Sequence, residues 1–541
     1  MGTTTTTSTA DRDHHELVEE KLSPKADHQE LLLLPMAPAM ISAPPLRVHF
    51  SPSSTVPKSP LFLSRLMMSS STSTPLASPV IKQAIASVQG YLEDVGHFTK
   101  LEPHEAWLPI TESRNGNAYY AAFHTLCSGI GVQALLLPFA LTVLGWTWGI
   151  ISLLVAFVWQ LYTLWLLIQL HESDSGMRYS RYLRLSMAAF GEKIGKLVTL
   201  FPIMYLSGGT CVTLIMIGGG TMKIFFELVC HETCTVKNLT TIEWYLVFTC
   251  MATLIAQLPN LNSIAGVSLI GAITAISYST MIWVLTLNKG RTNGVSYEPL
   301  ENTKSDVARL FEILNALGII AFAFRGHNLV LEIQGTMPSN NKQPSRLPMW
   351  KGVKFAYLII AMCLFPLAIV EYWAYGNLIH ASNEGVLTAL YEFHKRDGSK
   401  LVIGMTSVLV VINSLSSFQI YAMPVFDNLE FRFTSAMNRP CPRWLRSAFR
   451  VFFGCLASFI AITIPFLASL AGLIGGVALP ITLAYPSFMW ILIRRPQKYS
   501  RIWLLNWILG VLGMVLSISV VTGAVWSLVT KGMEVNFFKP Q

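Results

Sequence analysis

From about residue 118 onward, apolar residues come in long unbroken stretches of around 20 residues or more, separated by polar loops. The two-residue alternation of a barrel strand does not organise them. A stretch of that length crosses the ~30 Å hydrocarbon core of a bilayer as an α-helix, the open-ended element that satisfies its own backbone there. Eleven such spans are predicted, at 118–142, 145–170, 197–222, 243–258, 262–287, 309–334, 353–374, 401–425, 447–467, 470–493 and 502–529. The expected fold class is therefore an all-α membrane protein with eleven transmembrane helices.

The chain before these spans has a different character. Residues 1–90 are Thr, Ser, Pro and scattered charge, which predicts a disordered tail; 91–117 form a pre-membrane segment, 118–530 the membrane domain and 531–541 a short C-terminal end. The run Leu31 to Leu34 is too short for a signal peptide and is followed by Pro35, so the first span is expected to serve as its own insertion signal. Ser-Pro pairs at Ser23, Ser51, Ser59 and Ser78 make the tail a candidate kinase substrate, and compositional accident is the plainer alternative.

Composition supports lipid as the solvent: the 541 residues are 52% hydrophobic and 13% charged. Soluble domains carry about a quarter charged residues. The net charge of +9 does not point to nucleic acid, because the Lys and Arg lie in the loops between apolar runs. One set of loops and adjoining span ends carries 18 of them and the other set 11, with nine more before the first span. The richer side is the cytoplasmic one, which puts the N-terminus inside and the C-terminus outside.

The eight cysteines have no paired-CxxC spacing, and most lie within apolar runs, so neither a metal site nor a cofactor is expected. Cys230 and Cys234 share a predicted outer loop with the Asn238-Leu239-Thr240 sequon. A disulfide and a glycan on Asn238 are expected if that loop is used; two free thiols and an unused sequon are the alternative.

Ionisable residues inside spans are costly and mark function. Away from span ends they are confined to His124 in the first span and to Glu312, Arg325, His327 and Glu332 in the sixth. Both spans also carry break signals: Ser128-Gly129-Ile130-Gly131 with Pro138 beyond it, and Phe322-Ala323-Phe324-Arg325-Gly326-His327. Unwound backbone at that depth must line a cavity or be buried in protein. Breaks at matching positions of two five-helix halves, 118–287 and 309–493, predict an inverted 5+5 repeat with its site at the breaks and one extra C-terminal helix. A half-helix starting near Gly131 offers N–H groups to a carboxylate, and freed carbonyls before Phe324 suit an ammonium, which together describe an amino-acid zwitterion. Glycines that merely allow close helix packing are the competing explanation.

These residues resemble a known family. Leu108-Pro109-Ile110-Thr111-Glu112-Ser113-Arg114-Asn115-Gly116-Asn117, the break with Leu137-Pro138-Phe139, and the stretch Gly326-His327-Asn328-Leu329-Val330-Leu331-Glu332-Ile333-Gln334-Gly335-Thr336 are similar to the plant lysine/histidine-transporter-like branch, its number-eight-like members in particular, of the amino acid/auxin permease family. The resemblance covers roughly residues 90–530. It implies a LeuT-like fold, plasma-membrane placement and proton-coupled amino-acid uptake, with the solute and the proton as partners. Arg325 departs from the small residue usual in that family, and could either bind a substrate carboxylate or be neutralised by Glu332 or another helix.

Roles follow for individual positions. Ser128, Gly129, Ile130 and Gly131 are candidates for carboxylate binding, and Phe322 and Phe324 for the side-chain pocket. Asn413, Ser414, Ser416 and Ser417 are candidates for a cation site, or for ordinary bonds between helices. No lysine in the fifth span stands in for sodium, which leaves His327 and Glu332 as proton-coupling candidates, or as a structural pair. Competing functions are an auxin or other carboxylate carrier, an amino-acid sensor signalling through the tail, and a membrane-embedded hydrolase or acyltransferase using His171, Glu172 and Asp174, which lack a nucleophile signature.

Overall fold

The computed structural model describes residues 108–534, apart from 112–113, 174–175, 231–238, 259–263, 299–304, 341–342, 380–385, 395–399 and 465. The expectations for the tail and its Ser-Pro pairs, and for Asp174, Cys234, Asn238 and 535–541, lie outside the described residues.

The described residues are helical, with no sheet beyond two isolated bridges. In chain order they form α1 (Ala118–Gly129), a 3-10 turn (Val132–Leu136), α2 (Leu137–Leu170), α3 (Tyr182–Phe190), α4 (Glu192–Cys230), α5 (Thr241–Ile255) and α6 (Ala265–Lys289). There follow α7 (Asp306–Ala323), α8 (His327–Gly335), α9 (Arg346–Tyr375), α10 (Val386–His394), α11 (Lys400–Met437) and α12 (Arg443–Thr463). The chain ends on α13 (Leu467–Leu479), a π-turn (Pro480–Ala484), α14 (Tyr485–Arg494) and α15 (Arg501–Glu534).

Local chemistry sets the helix starts. Asn117 caps α1 by accepting from the Tyr119 and Tyr120 N–H groups, Ser305 caps α7, and Thr240 with Glu243 forms a reciprocal capping box on α5. Nine helical runs among the described residues are long and apolar enough to cross a membrane. One of them, Ala118–Leu170, is 53 residues long. A straight helix of that length would measure roughly 80 Å, about twice a bilayer with its headgroups. The breaks at Ile130–Gly131 and at Gly145, which has φ 72° inside α2, divide it. The predicted span at 243–258 appears as the 15-residue α5. The span at 470–493 is interrupted by the π-turn, where Ile481 O accepts from Tyr182 Oη at 2.7 Å.

The two broken runs pack into the middle of the bundle. α1 lies against α6 and α9, α7 against α2, α13 and α15, and α11 crosses α4 and α6 and touches α1. The α7–α13 contact is backbone on backbone: a Cβ on Gly318 would meet Gly472 O at 2.5 Å, and a Cβ on Gly475 would strike Gly318 O. In lipid, where helices gain little from hydrophobic burial against one another, such close approach is a main source of association. Gly475→Ala should therefore cost about 1–3 kcal/mol through overpacking, read as a lowered melting temperature of the purified protein in detergent; an unchanged melting temperature would mean α7 and α13 are not held at this distance.

Candidate functional site

The two breaks meet. α1 unwinds at Ile130 (φ −102°, ψ 77°) and Gly131, and the α7–α8 run unwinds over Phe324, Arg325 and Gly326, the last at φ 126°. An L side chain rarely adopts that φ, so glycine is the natural residue there. A Cβ on Gly326 would sit 3.7 Å from Ser128 Oγ, which places the two unwound segments side by side. Ser128, Ile130, Phe322, Phe324, Arg325 and His327 are all buried.

Unwinding releases carbonyls, and side chains take them up. Ser128 O accepts from Tyr421 Oη at 2.8 Å, and Cys127 O from Ser417 Oγ at 2.9 Å. Gln133 Nε2 lies 3.5 Å from Gly129 O, and across the site Gln160 Nε2 lies 3.4 Å from Ala321 O. The Ile130 N–H is not released, since it still donates to Leu126 O at 2.8 Å.

Arg325 occupies the junction. Its Nε donates to Tyr421 Oη at 2.9 Å, Nη1 to Thr210 Oγ1 at 3.0 Å and Nη2 to Gln133 Oε1 at 2.7 Å. Its guanidinium lies between two rings, 4.3 Å from the Phe322 centroid and 4.4 Å from that of Tyr421. Every partner is neutral; no carboxylate among the described residues pairs with it. One N–H on each Nη is left over from the guanidinium's five donors. Gly131 leaves room for this arrangement, because a Cβ there would strike Gln133 Oε1.

The other candidates fall into separate groups. Phe322 packs under Arg325, whereas Phe324 faces away, edge-on to Phe157 at 5.8 Å. His327 Nε2 lies 3.0 Å from both Gln160 O and Thr163 Oγ1. A carbonyl only accepts, so Nε2 carries the proton and Nδ1, which has no partner, is the lone-pair nitrogen. Glu332 is not beside Arg325. It lines a cavity of about 1140 Å³ with Arg181 and Asp427, themselves paired at 2.5 Å, and the cavity is rimmed by exposed Met177, Lys196 and Arg346. Neither Arg325 nor Ser128 lines that cavity.

Asn413 Nδ2 donates to Gly271 O at 2.9 Å while its Oδ1 has no partner; Ser414 bonds back to Val410 O, and Ser416 packs on Gly271. Asn413 and Ser417 thus hold α11 to α6 and α1. Cys230 is disulfide-bonded. Glu172 accepts from Ser345 Oγ at 2.6 Å and lies 3.7 Å from Arg178, which ties two loops together. Among the described residues no group of His, Cys, Asp and Glu could hold a metal ion.

Sequence reasoning misses Gln133, Thr210 and Tyr421. A signal for Tyr421 exists: Asn413, Ser417 and Tyr421 recur every four residues and so share one polar face of α11. Gln133 and Thr210 carry no such pattern. Glu371 of α9 is missed for another reason, since it falls within a turn of the end of its predicted span.

Residues 114–529 match the family model described as transmembrane amino acid transporter protein. The chain is 54% identical over 535 residues to lysine histidine transporter-like 8 of Arabidopsis thaliana, covering 98% of this chain and 99% of the relative. To lysine histidine transporter-like 7 of the same plant it is 44% identical over 441 residues, 81% of this chain and 90% of the relative. To lysine histidine transporter-like 3 the identity is 38% over 416 residues, 76% and 89% of the two chains. With broken helices meeting around a buried cation and a family match across nearly all the helices, the chain belongs to the transmembrane amino acid transporter family and is a transporter rather than an enzyme.

Proposed function

We propose that this chain imports amino acids across the plasma membrane, coupled to protons, through a site at the junction of its two breaks. The observation that carries the reading is Arg325: a buried guanidinium with neutral partners and two spare N–H groups, set where both helices unwind. A lone cation at membrane depth costs roughly 3 kcal/mol or more on insertion scales. A solute carboxylate supplies the missing counter-charge, and the Ser128–Gly131 segment shapes the space around it. Phe322 holds the guanidinium plane, and Phe324 fixes the far wall against Phe157.

Eleven crossings account for the chain best. Counting Ala118–Leu170 as two crossings divided near Gly145, and the 15-residue α5 as one, raises the nine long runs to eleven. The two broken runs then stand five crossings apart, as an inverted 5+5 repeat requires. The Lys and Arg distribution puts the N-terminus in the cytoplasm and the C-terminus outside, with the 1140 Å³ cavity facing the cytoplasm. His327, through Nδ1, and Glu332, at the wall of that cavity, are the proton-coupling groups on the inner half. Ser417 positions the α1 break, and Asn413 and Ser416 hold α11 to α6, rather than binding a sodium ion. The Ser-Pro pairs of the tail make a kinase a further partner.

The cation at the junction also fits a carboxylate solute without an amine, such as auxin. Competition among glutamate, alanine, lysine and indole acetic acid for labelled uptake separates the two readings. In transporter-deficient cells, uptake of labelled amino acids is expected to rise when the outer medium is acidified. Arg325→Ala, at matched surface level, should lose at least about tenfold of that uptake, the scale of removing one partner of a buried charge pair. Uptake that survives Arg325→Ala intact would remove the guanidinium from the site.

Tyr421→Phe deletes the hydroxyl that both accepts from Arg325 and donates to Ser128 O. Two buried groups then lose a partner, at about 1–3 kcal/mol each. The variant should melt at a lower temperature and raise KM for the solute more than it lowers the maximal rate, as measured by uptake against concentration. An unchanged melting temperature and KM would show that the hydroxyl does not join the two breaks.

A further inference from the structure

The carboxyl of Glu371 has no counterpart in the chemistry described so far. It lies on α9, fully buried, and neither oxygen has a hydrogen-bond partner among the described residues. No Lys, Arg or His of the described residues pairs with it. The Thr286 hydroxyl of α6 faces both Glu371 and Tyr375 without closing a hydrogen bond of ordinary geometry to either. Tyr375, one turn further along α9, adjoins the same group. A fully buried carboxyl whose two oxygens both lack a hydrogen-bond partner calls for an explanation of its own, and a bound proton supplies one.

Charge decides which ligand. An ionised carboxylate stripped of water and without a cation does not persist, whereas the neutral acid does. The groups facing Glu371 supply no cation. On its own helix the facing group is Tyr375, one turn on, while Tyr372, next in sequence, packs on Trp146 and Tyr297. On α6 the side chain is Thr286, with Lys289 one turn beyond and engaged by a different partner. On the following loop Arg291 donates to Val295 O and stacks on Tyr297, whose ring in turn packs on Tyr372. From α2 comes Trp146, against Tyr372, and from α10 comes Phe393, against Tyr375. His124 of α1 lies level with the first half of α9, where Ala121 and Ala122 meet Gly352.

Position gives the site a use. Glu371 sits near the end of α9 away from the cavity, which is lined by Arg346 at the other end of that helix. The 290–298 loop covers this end: Tyr297 Oη donates to Trp373 O at 2.7 Å, Ser296 N to Asn377 Oδ1 at 3.1 Å, and Asn377 N to Ser296 O at 3.0 Å. We propose that Glu371, with Thr286 and Tyr375, is a proton-binding site on the outer side of the transport path, loaded in this conformation and exposed to the outer medium when the 290–298 loop lifts. The proposal rests on the reading of the chain as a proton-coupled importer and adds the group that first takes the proton. The step is a simple protonation: a lone pair of the Glu371 carboxylate binds an outer proton when exposed, and the buried acid carries it inward.

Glu371→Gln tests this, because a carboxamide has the size and charge of a protonated carboxyl but releases no proton. In the purified full-length protein, infrared difference spectra between acidic and alkaline samples should contain the carbonyl stretch of a protonated acid. That band should be lost or clearly reduced in Glu371→Gln. In cells, the variant should reach the surface at the wild-type level, and its uptake should no longer rise on acidification of the medium. An undiminished infrared band, or acid-stimulated uptake equal to wild type, would overturn the proposal. So would a variant that fails to fold, since a neutral isostere must fit where a neutral acid sits. The spectroscopic arm does not depend on any solute being carried. A wild-type protein with the Glu371 band but no acid-stimulated uptake would thus sink the proposed function and keep the proton site.

Discussion

Inside a bilayer an unwound helix leaves carbonyls that water cannot reach, and the architecture around the breaks is organised by their need for donors. The end of α1 alone exposes the carbonyls of Cys127, Ser128 and Gly129. They are met by Ser417, Tyr421 and Gln133 respectively, and Ala321 O on the α7 side is met by Gln160. Three of these four donors come from helices distant in sequence, and the fourth, Gln133, from the break itself. The breaks are thus held open by the bundle, and two of the residues that hold them, Tyr421 and Gln133, also contact Arg325.

Arg325 draws on part of that set in a second way. Tyr421 gives it an acceptor and a ring face, Gln133 an acceptor, Thr210 another, and Phe322 a second ring face. Hydrogen bonds to a charged group contribute about 1.5–3 kcal/mol each, and a desolvated cation–π contact about 2 kcal/mol. These terms offset the transfer of the cation into the protein without cancelling its charge. The result is a fixed positive potential at the meeting point of the two broken helices, stable enough to persist and incomplete enough to attract an anion.

The sequence made the helices legible because lipid forces continuous apolar runs, and the two broken spans stood out because glycine and charge are expensive there. The boundary predicted between the first two spans, at 142–145, falls at Gly145, a single residue at positive φ within a continuous helical run. Ser128 and Arg325 were visible as types out of place, and Phe322 only through its place in the stretch that holds Arg325. Gln133, Thr210 and Tyr421 were not, because a neutral polar residue in a membrane helix usually serves local backbone, as Thr213, Ser407 and Ser414 do here. Only tertiary contact distinguishes Thr210, which reaches Arg325, from Thr213, which bonds its own helix. The suggested Arg325–Glu332 pairing fails for a geometric reason: seven residues and a break place Glu332 at the cavity wall, beside Arg181 and Asp427.

That separation gives the molecule a polarity along its helices. Glu332 lies on the cavity side of the cation and Glu371 near the opposite end of α9, so the two buried carboxyls bracket Arg325 without neutralising it. Were either close enough to pair with the guanidinium, the site would hold a permanent internal ion pair, and a solute carboxylate would have to displace it at the cost of leaving a second charge unpaired. In the proposed importer, keeping the carboxyls apart would leave the cation to the solute and would leave the carboxyls to change protonation as each end of the bundle meets water. Coupling between a proton and a solute, as proposed, would then need no direct contact, only that the opening of one end changes the solvation of its carboxyl and the closure of both breaks around the cation together.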